Sequence, residues 1–227
     1  MSERQLPDNI TNLLARVSSA VEKSQRNPQD VNILAVSKTR PAGDIREAAA
    51  LGLTDFGENY LQEALDKMAE LQDLELCWHF IGPIQSNKTR PIAEHFDWVH
   101  SVDRLKIARR LSEQRPPEKP PLQICLQVNI SEEESKSGVT LAELPALAQA
   151  VSALPGLTLR GLMAIPAATA DTEQQHRAFA ALRKALEALD MPHLDTLSMG
   201  MSGDLEAAIA EGSTLVRVGT DIFGPRG

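Results

Sequence analysis

The strongest constraint on how this 227-residue chain can fold is a regular alternation of short apolar runs with amphipathic stretches, starting at Ile33 and continuing to Val218. Apolar runs bounded by turn residues read as strands buried on both faces, and the stretches between them carry apolar residues at helical spacing. Strands are expected at Ile33–Ser37, Asp55–Gly57, Leu76–Ile81, Trp98–Val102, Leu122–Ile130, Thr158–Met163, Thr196–Ser198 and Thr214–Val218. Helices are expected near Ala42–Leu51, Tyr60–Leu71, Lys88–His95, Arg104–Gln114, Leu141–Leu154, Thr172–Leu189 and Leu205–Glu211, so every strand but the last is followed by one. Such a set closes with an interior filled by side chains, which predicts an α/β fold: a single-domain (β/α)8 TIM barrel over residues 1–227. An open doubly wound sheet is the competing arrangement. An extra N-terminal helix is expected over residues 8–26, with Ile10, Leu13, Leu14, Val17 and Val21 on one face and Asn9 or Thr11 as its cap.

Composition removes several classes of function. The net charge of −8 disfavours a broad nucleic-acid footprint while leaving room for a local basic pocket around one phosphate. Cys77 and Cys125 are far apart in apolar surroundings and read as reduced core residues, with no metal site expected. The polar first thirty residues and the absence of a long apolar run make the cytoplasm the expected location. P-loop, H-E-x-x-H and G-x-G-x-x-G motifs are missing, and Gly200–Asp204 falls one glycine short of a hydrolase elbow.

In a barrel the segments that follow strands gather at one mouth, where active sites form. Lys38 ends the first apolar run; it either reaches for water on its alkyl stem or, desolvated, becomes a neutral amine that attacks aldehydes and ketones. The fifth strand alternates Gln123, Cys125, Gln127 and Asn129 with Ile124, Leu126, Val128 and Ile130, so a polar face is expected to look into the barrel near that mouth. Met199–Gly203, with Ser202 as N-cap of the next helix, and Gly219–Thr220 after the last strand sit where barrels hold phosphate. Arg217, flanked by valines, needs an acceptor, either a carboxylate in the barrel or an unprotonated ligand atom. His79 has the same ambiguity, core residue or ligand contact. Glu63, Asp66 and Glu70 read as solvated helix surface.

The segments Leu34–Thr39, Phe56–Tyr60, Trp78–Lys88, Asn129–Ile130 with Ser135–Gly138, Gly161–Ile165, Leu197–Ser202 and Val216–Thr220 resemble the pyridoxal phosphate homeostasis protein family. That family is built on the fold-type III pyridoxal phosphate (PLP) barrel of alanine racemase-like proteins. The resemblance covers nearly the whole chain and implies a PLP-binding protein that holds the cofactor as a Schiff base on Lys38 and buffers it or delivers it to apo-enzymes. It implies that Ser202, Gly219 and Thr220 hold the phosphate, that Asn59 lies beside the ring, and that Arg217 faces the pyridine nitrogen; Met201 and His79 complete the cofactor-binding candidates.

A guanidinium is a permanent donor, so the nitrogen it faces stays unprotonated and the ring is a poor sink for carbanion charge. A racemase also needs a second proton-transfer group, which in alanine racemase-like enzymes is a tyrosine, and Tyr60 is the only tyrosine here. The expectation is therefore a carrier without catalytic residues. The alternatives are a small fold-type III racemase or decarboxylase using His79 or Lys136, and a Schiff-base aldolase acting on a sugar phosphate. A monomer is expected, because the dimer-forming second domain of the racemases has no counterpart in these residues.

Overall fold

The computed structural model describes residues 5–132 and 137–225. Its eight parallel strands are β1 (Asn32–Val36), β2 (Asp55–Glu58), β3 (Cys77–Phe80), β4 (Trp98–Val102), β5 (Leu122–Gln127), β6 (Leu157–Met163), β7 (Thr196–Ser198) and β8 (Leu215–Val218). They close in chain order, and the seam decides between barrel and open sheet. β1 pairs with β2 through Ala35 and Phe56, and with β8 through Leu34 and Arg217. The helices between them are α2 (Ala42–Ala50), α3 (Leu61–Glu70), α4 (Thr89–His95), α5 (Leu105–Gln114), α6 (Leu144–Ser152), α7 (Thr172–Ala188) and α8 (Leu205–Ala210). The last strand is also followed by a helix, the single turn α9 (Thr220–Phe223), which the sequence pattern did not announce because it is too short to show a period.

Strand alternation sorts the side chains into two environments. Ala35, Phe56, Phe80, Val216 and Val218 point outward into a large apolar shell beneath the helices. Leu34, Ile81 and Leu215 form a small separate cluster with Val36 inside the barrel. β5 ends three residues earlier than expected, and beyond it Val128 makes an isolated parallel bridge to Val139.

The extra helix, α1, runs over Gln5–Lys23, and packing of Leu6, Ile10, Leu13, Val17, Ala20 and Val21 explains its orientation. Each large member contributes at most about 1.5–3 kcal/mol through burial. Leu14 lies one residue off this stripe and is exposed. Asn9 and Thr11 are not caps: both lie within the helix, and the Asn9 amide donates to Ile222 O of α9.

Among the described residues, no helix is long and apolar enough to cross a membrane.

Candidate functional site

The loop after β1 is bent immediately beyond Lys38, where Thr39 adopts φ 64°. A β-branched residue in the left-handed region is strained and persists only where its surroundings hold it. The holding groups come from β2 and α3. The Thr39 N–H donates to Glu63 Oε1 at 2.5 Å, and Lys67 Nζ donates to Ser37 O, Glu58 Oε1 and Glu63 Oε1 at 2.8, 2.8 and 2.6 Å. Ser37 Oγ donates to Glu58 Oε1 at 2.6 Å. Burial pushes the Glu58 carboxyl up, outweighing the hydrogen bonds from Lys67 and Ser37. Glu63, expected to be solvated surface, is therefore part of the clamp that sets the Lys38 turn. Its i,i+4 spacing to Lys67 was the available signal.

Lys38 is half-buried and opens on a cavity of about 430 Å³ at the C-terminal mouth. Asn59, Met201, Ser202, Arg217, Gly219 and Thr220 line the same cavity, so seven of the eight cofactor-binding candidates converge there. Gln127 and Asn129 open on an adjoining cavity of about 380 Å³ that shares Asn59, Ile81 and Ile165 with the first. His79 is the exception. It sits below, inside the barrel, with Nε2 2.9 Å from Asp55 Oδ1 and Nδ1 2.9 Å from His100 Nε2, because its place on β3 is two residues short of Ile81, which reaches the mouth.

Arg217 is buried, and its acceptors are both neutral. Nη1 donates to Ser198 Oγ at 2.8 Å and Nη2 to Ala164 O at 3.0 Å. Burial lowers its pKa to about 10, so it stays charged at neutral pH, and Asp204 and Cys125 pull the other way. Ser202 does not cap α8. Asp204 takes the N-cap position after one further turn, and its Oδ1 accepts the Met201 N–H at 2.7 Å.

Two arginines tie the mouth loops together. Arg16 of α1 donates to Ser202 O at 3.0 Å and to Glu206 of α8, and pairs with Asp221 of α9, joining the loops after β7 and β8. Arg40 donates to Gly224 O at 2.6 Å and lies over the Phe223 ring. Neither role was legible in sequence, because each arginine is far in the chain from the backbone it holds.

The donor set fits pyridoxal phosphate. An amine and a guanidinium face one cavity, and the buried Asn59 Oδ1 has no hydrogen-bond partner. Gly203, on the cavity wall, has nothing within 4 Å of where a Cβ would be, which leaves space for a phosphate to approach the backbone.

Comparison with known proteins agrees. The profile of the "Alanine racemase, N-terminal domain" family matches residues 9–227. A pyridoxal phosphate homeostasis protein of Pseudomonas aeruginosa is 66% identical over 221 residues, 97% of this chain and 96% of its own. The Escherichia coli K12 protein of that name is 53% identical over 223 residues, 96% and 95% of the two chains. The solved structure of PipY from Synechococcus elongatus PCC7942 with PLP bound superposes with a TM-score of 0.80 at 41% identity, covering 93% of this chain and 100% of PipY. Fold, mouth chemistry and relatives together make this chain a member of the pyridoxal phosphate homeostasis protein family, built on the alanine racemase N-terminal domain fold.

Proposed function

We propose that this chain binds pyridoxal 5′-phosphate at the C-terminal mouth and acts in its homeostasis, holding the cofactor reversibly and keeping it available to apo-enzymes in the cytoplasm, as a monomer. The observation that carries this reading is the convergence of Lys38, Arg217 and the two glycine-containing loops on one cavity. Lys38 supplies the amine for the aldehyde, Ser202, Gly219 and Thr220 hold the phosphate, Asn59 offers its unmet acceptor, and Arg217 directs a permanent donor at the ring nitrogen. When bound, PLP supplies an electrophilic aldehyde and an aromatic ring able to take up carbanion charge. A nitrogen kept unprotonated by Arg217 weakens the second property and leaves the first intact.

Holding is favoured over turnover by the side chains at the mouth. Among the described residues, the ionisable side chains lining the cavity are the Lys38 amine and the guanidiniums of Arg40 and Arg217, with no carboxylate or imidazole among them to serve as a second base. His79, the second base of the racemase alternative, lies beneath the floor, and Lys136 falls outside the described residues. Borohydride reduction followed by peptide mass spectrometry tests the proposal. A PLP adduct on Lys38, lost in Lys38→Ala, is expected; an adduct of a sugar-phosphate mass, or none, defeats it. Solvent-hydrogen exchange at the α-carbon across a panel of amino acids, with cofactor bound, would instead favour the racemase.

A further inference from the structure

Beneath the cavity, the barrel interior carries a file of polar side chains that cofactor binding does not explain. Arg217 Nη1 lies 2.8 Å from Ser198 Oγ, and His100 Nδ1 lies 2.8 Å from the same hydroxyl. His100 Nε2 is 2.9 Å from His79 Nδ1, and His79 Nε2 is 2.9 Å from Asp55 Oδ1. The five residues come from β8, β7, β4, β3 and β2. Arg217, Ser198, His100 and His79 are buried, while Asp55 opens on a second cavity at the opposite, N-terminal mouth.

With both imidazoles neutral, donor and acceptor rules leave one arrangement of protons. A guanidinium only donates, so the Ser198 oxygen accepts from Arg217 and its O–H goes to His100 Nδ1. A neutral imidazole has a single N–H, so His100 carries it on Nε2 and gives it to His79 Nδ1. His79 then carries its own on Nε2 and gives it to the Asp55 carboxylate, which only accepts. The alternative, a charged His79 with the bonds reversed, leaves the buried Ser198 hydroxyl proton without an acceptor in the file and brings a second cation toward Arg217. Burial foremost, with the charge of Arg217, holds His100 well below the ordinary 6.5 and so keeps it neutral. Asp55 is charged: hydrogen bonds from His79 and Thr54 overcome the effect of burial and lower its carboxyl below the usual value.

We infer that Ser198, His100, His79 and Asp55 are positioning residues for Arg217, a one-way file of hydrogen bonds that anchors its guanidinium from the far mouth of the barrel. Ser198 and Ala164 O hold the guanidinium at two points, which sets its plane and leaves its other N–H bonds for a ligand. This inference rests on the reading of Arg217 as the partner of the ring nitrogen.

Two measurements test it. Long-range 1H–15N NMR of the ligand-free full chain reads the tautomers directly, and neutral Nε2–H forms are expected for both His79 and His100. A charged His79, or the proton on His100 Nδ1, overturns the direction of the file. PLP affinity is then followed by absorbance in Ser198→Ala and Ser198→Thr, each with and without Arg217→Lys. Loss of one bond to a charged group predicts about tenfold weaker binding and a displaced absorption maximum in Ser198→Ala. Threonine, which keeps the hydroxyl, restores binding to within about threefold, and the alanine loses under about twofold more when Arg217 is already replaced. An equal loss in both backgrounds means a purely structural role and overturns the inference. If the wild-type chain bound no PLP, the proposed function would fall, while the tautomers would still decide the file.

Discussion

The two mouths of the barrel hold cavities of nearly the same size, about 430 and 440 Å³, and they differ in how their polar groups are satisfied. At the N-terminal mouth the partners are internal. Arg160 pairs with both oxygens of Asp195 at 3.0 and 2.8 Å, donates to Gln123 at 2.9 Å and lies over the Trp98 ring at 4.8 Å. Asp55, Cys77 and His79 bring donor atoms within 4.8 Å of one another, and hydrogen bonds among them account for the grouping. At the C-terminal mouth the buried Asn59 Oδ1 is left unmet, and Arg217 keeps N–H bonds in reserve. Volume does not distinguish a ligand site from a filled polar end; unmet donors and acceptors do.

The comparison can be broken severely at Gly82, whose Cβ, if present, would lie 2.2 Å from Asn59 O. A backbone atom cannot swing away as a side-chain tip can, so Gly82→Ala should displace Asn59, cost about 3 kcal/mol in urea unfolding and weaken PLP binding. Unchanged affinity would mean that Asn59 is not part of the ligand contact.

Acid should expose the polar interior next. His100 has a lowered pKa in the folded chain, so below its ordinary 6.5 the unfolded chain takes up a proton that the folded chain refuses. Its contribution is complete above that value and is lost as pH falls, by up to about 1.4 kcal/mol per pH unit. Asp55 adds to the loss only at lower pH, from its ordinary 3.8, where the unfolded chain takes up a proton, down to the depressed value at which the folded carboxyl protonates too. Urea unfolding at about pH 7.5 and about pH 5.5 should therefore show a loss that His100→Gln flattens.

The smallest and most discriminating comparison sets one arginine from each mouth side by side. Arg16→Ala unties the two loops assigned to the phosphate, and because that arginine is half-exposed it should cost only about 0.5–1 kcal/mol of stability while weakening PLP several-fold. Arg160→Met should cost a similar amount of stability and leave PLP affinity within about twofold. Isothermal titration of the two variants would erase the distinction between the mouths if both lost affinity alike.

The repeated period of strands and helices determined the barrel, since eight such units have few other ways to cover their apolar faces. Lys38, Arg217 and the loops at Met199–Gly203 and Gly219–Thr220 were legible for the same reason: strand ends meet at one mouth whatever the details of packing. The sequence could not assign depth within the barrel. The sequence leaves His79 open between core residue and ligand contact, and its position on β3 sets it a layer below Ile81; Asp55, His100 and Ser198 lie inside apolar or very short strands whose composition gives no sign of a polar interior. Their alternation with outward apolar neighbours, Phe56, Val99 and Leu197, was the only available sign. Closure of β8 onto β1 and the tilt of the strands decided which polar groups meet across the interior, and the long-range bonds of Arg16, Arg40 and the Lys67 clamp followed from helix packing. Periodicity is a local property of the chain, whereas the pairing of buried donors with acceptors depends on distances that exist only once the barrel is closed.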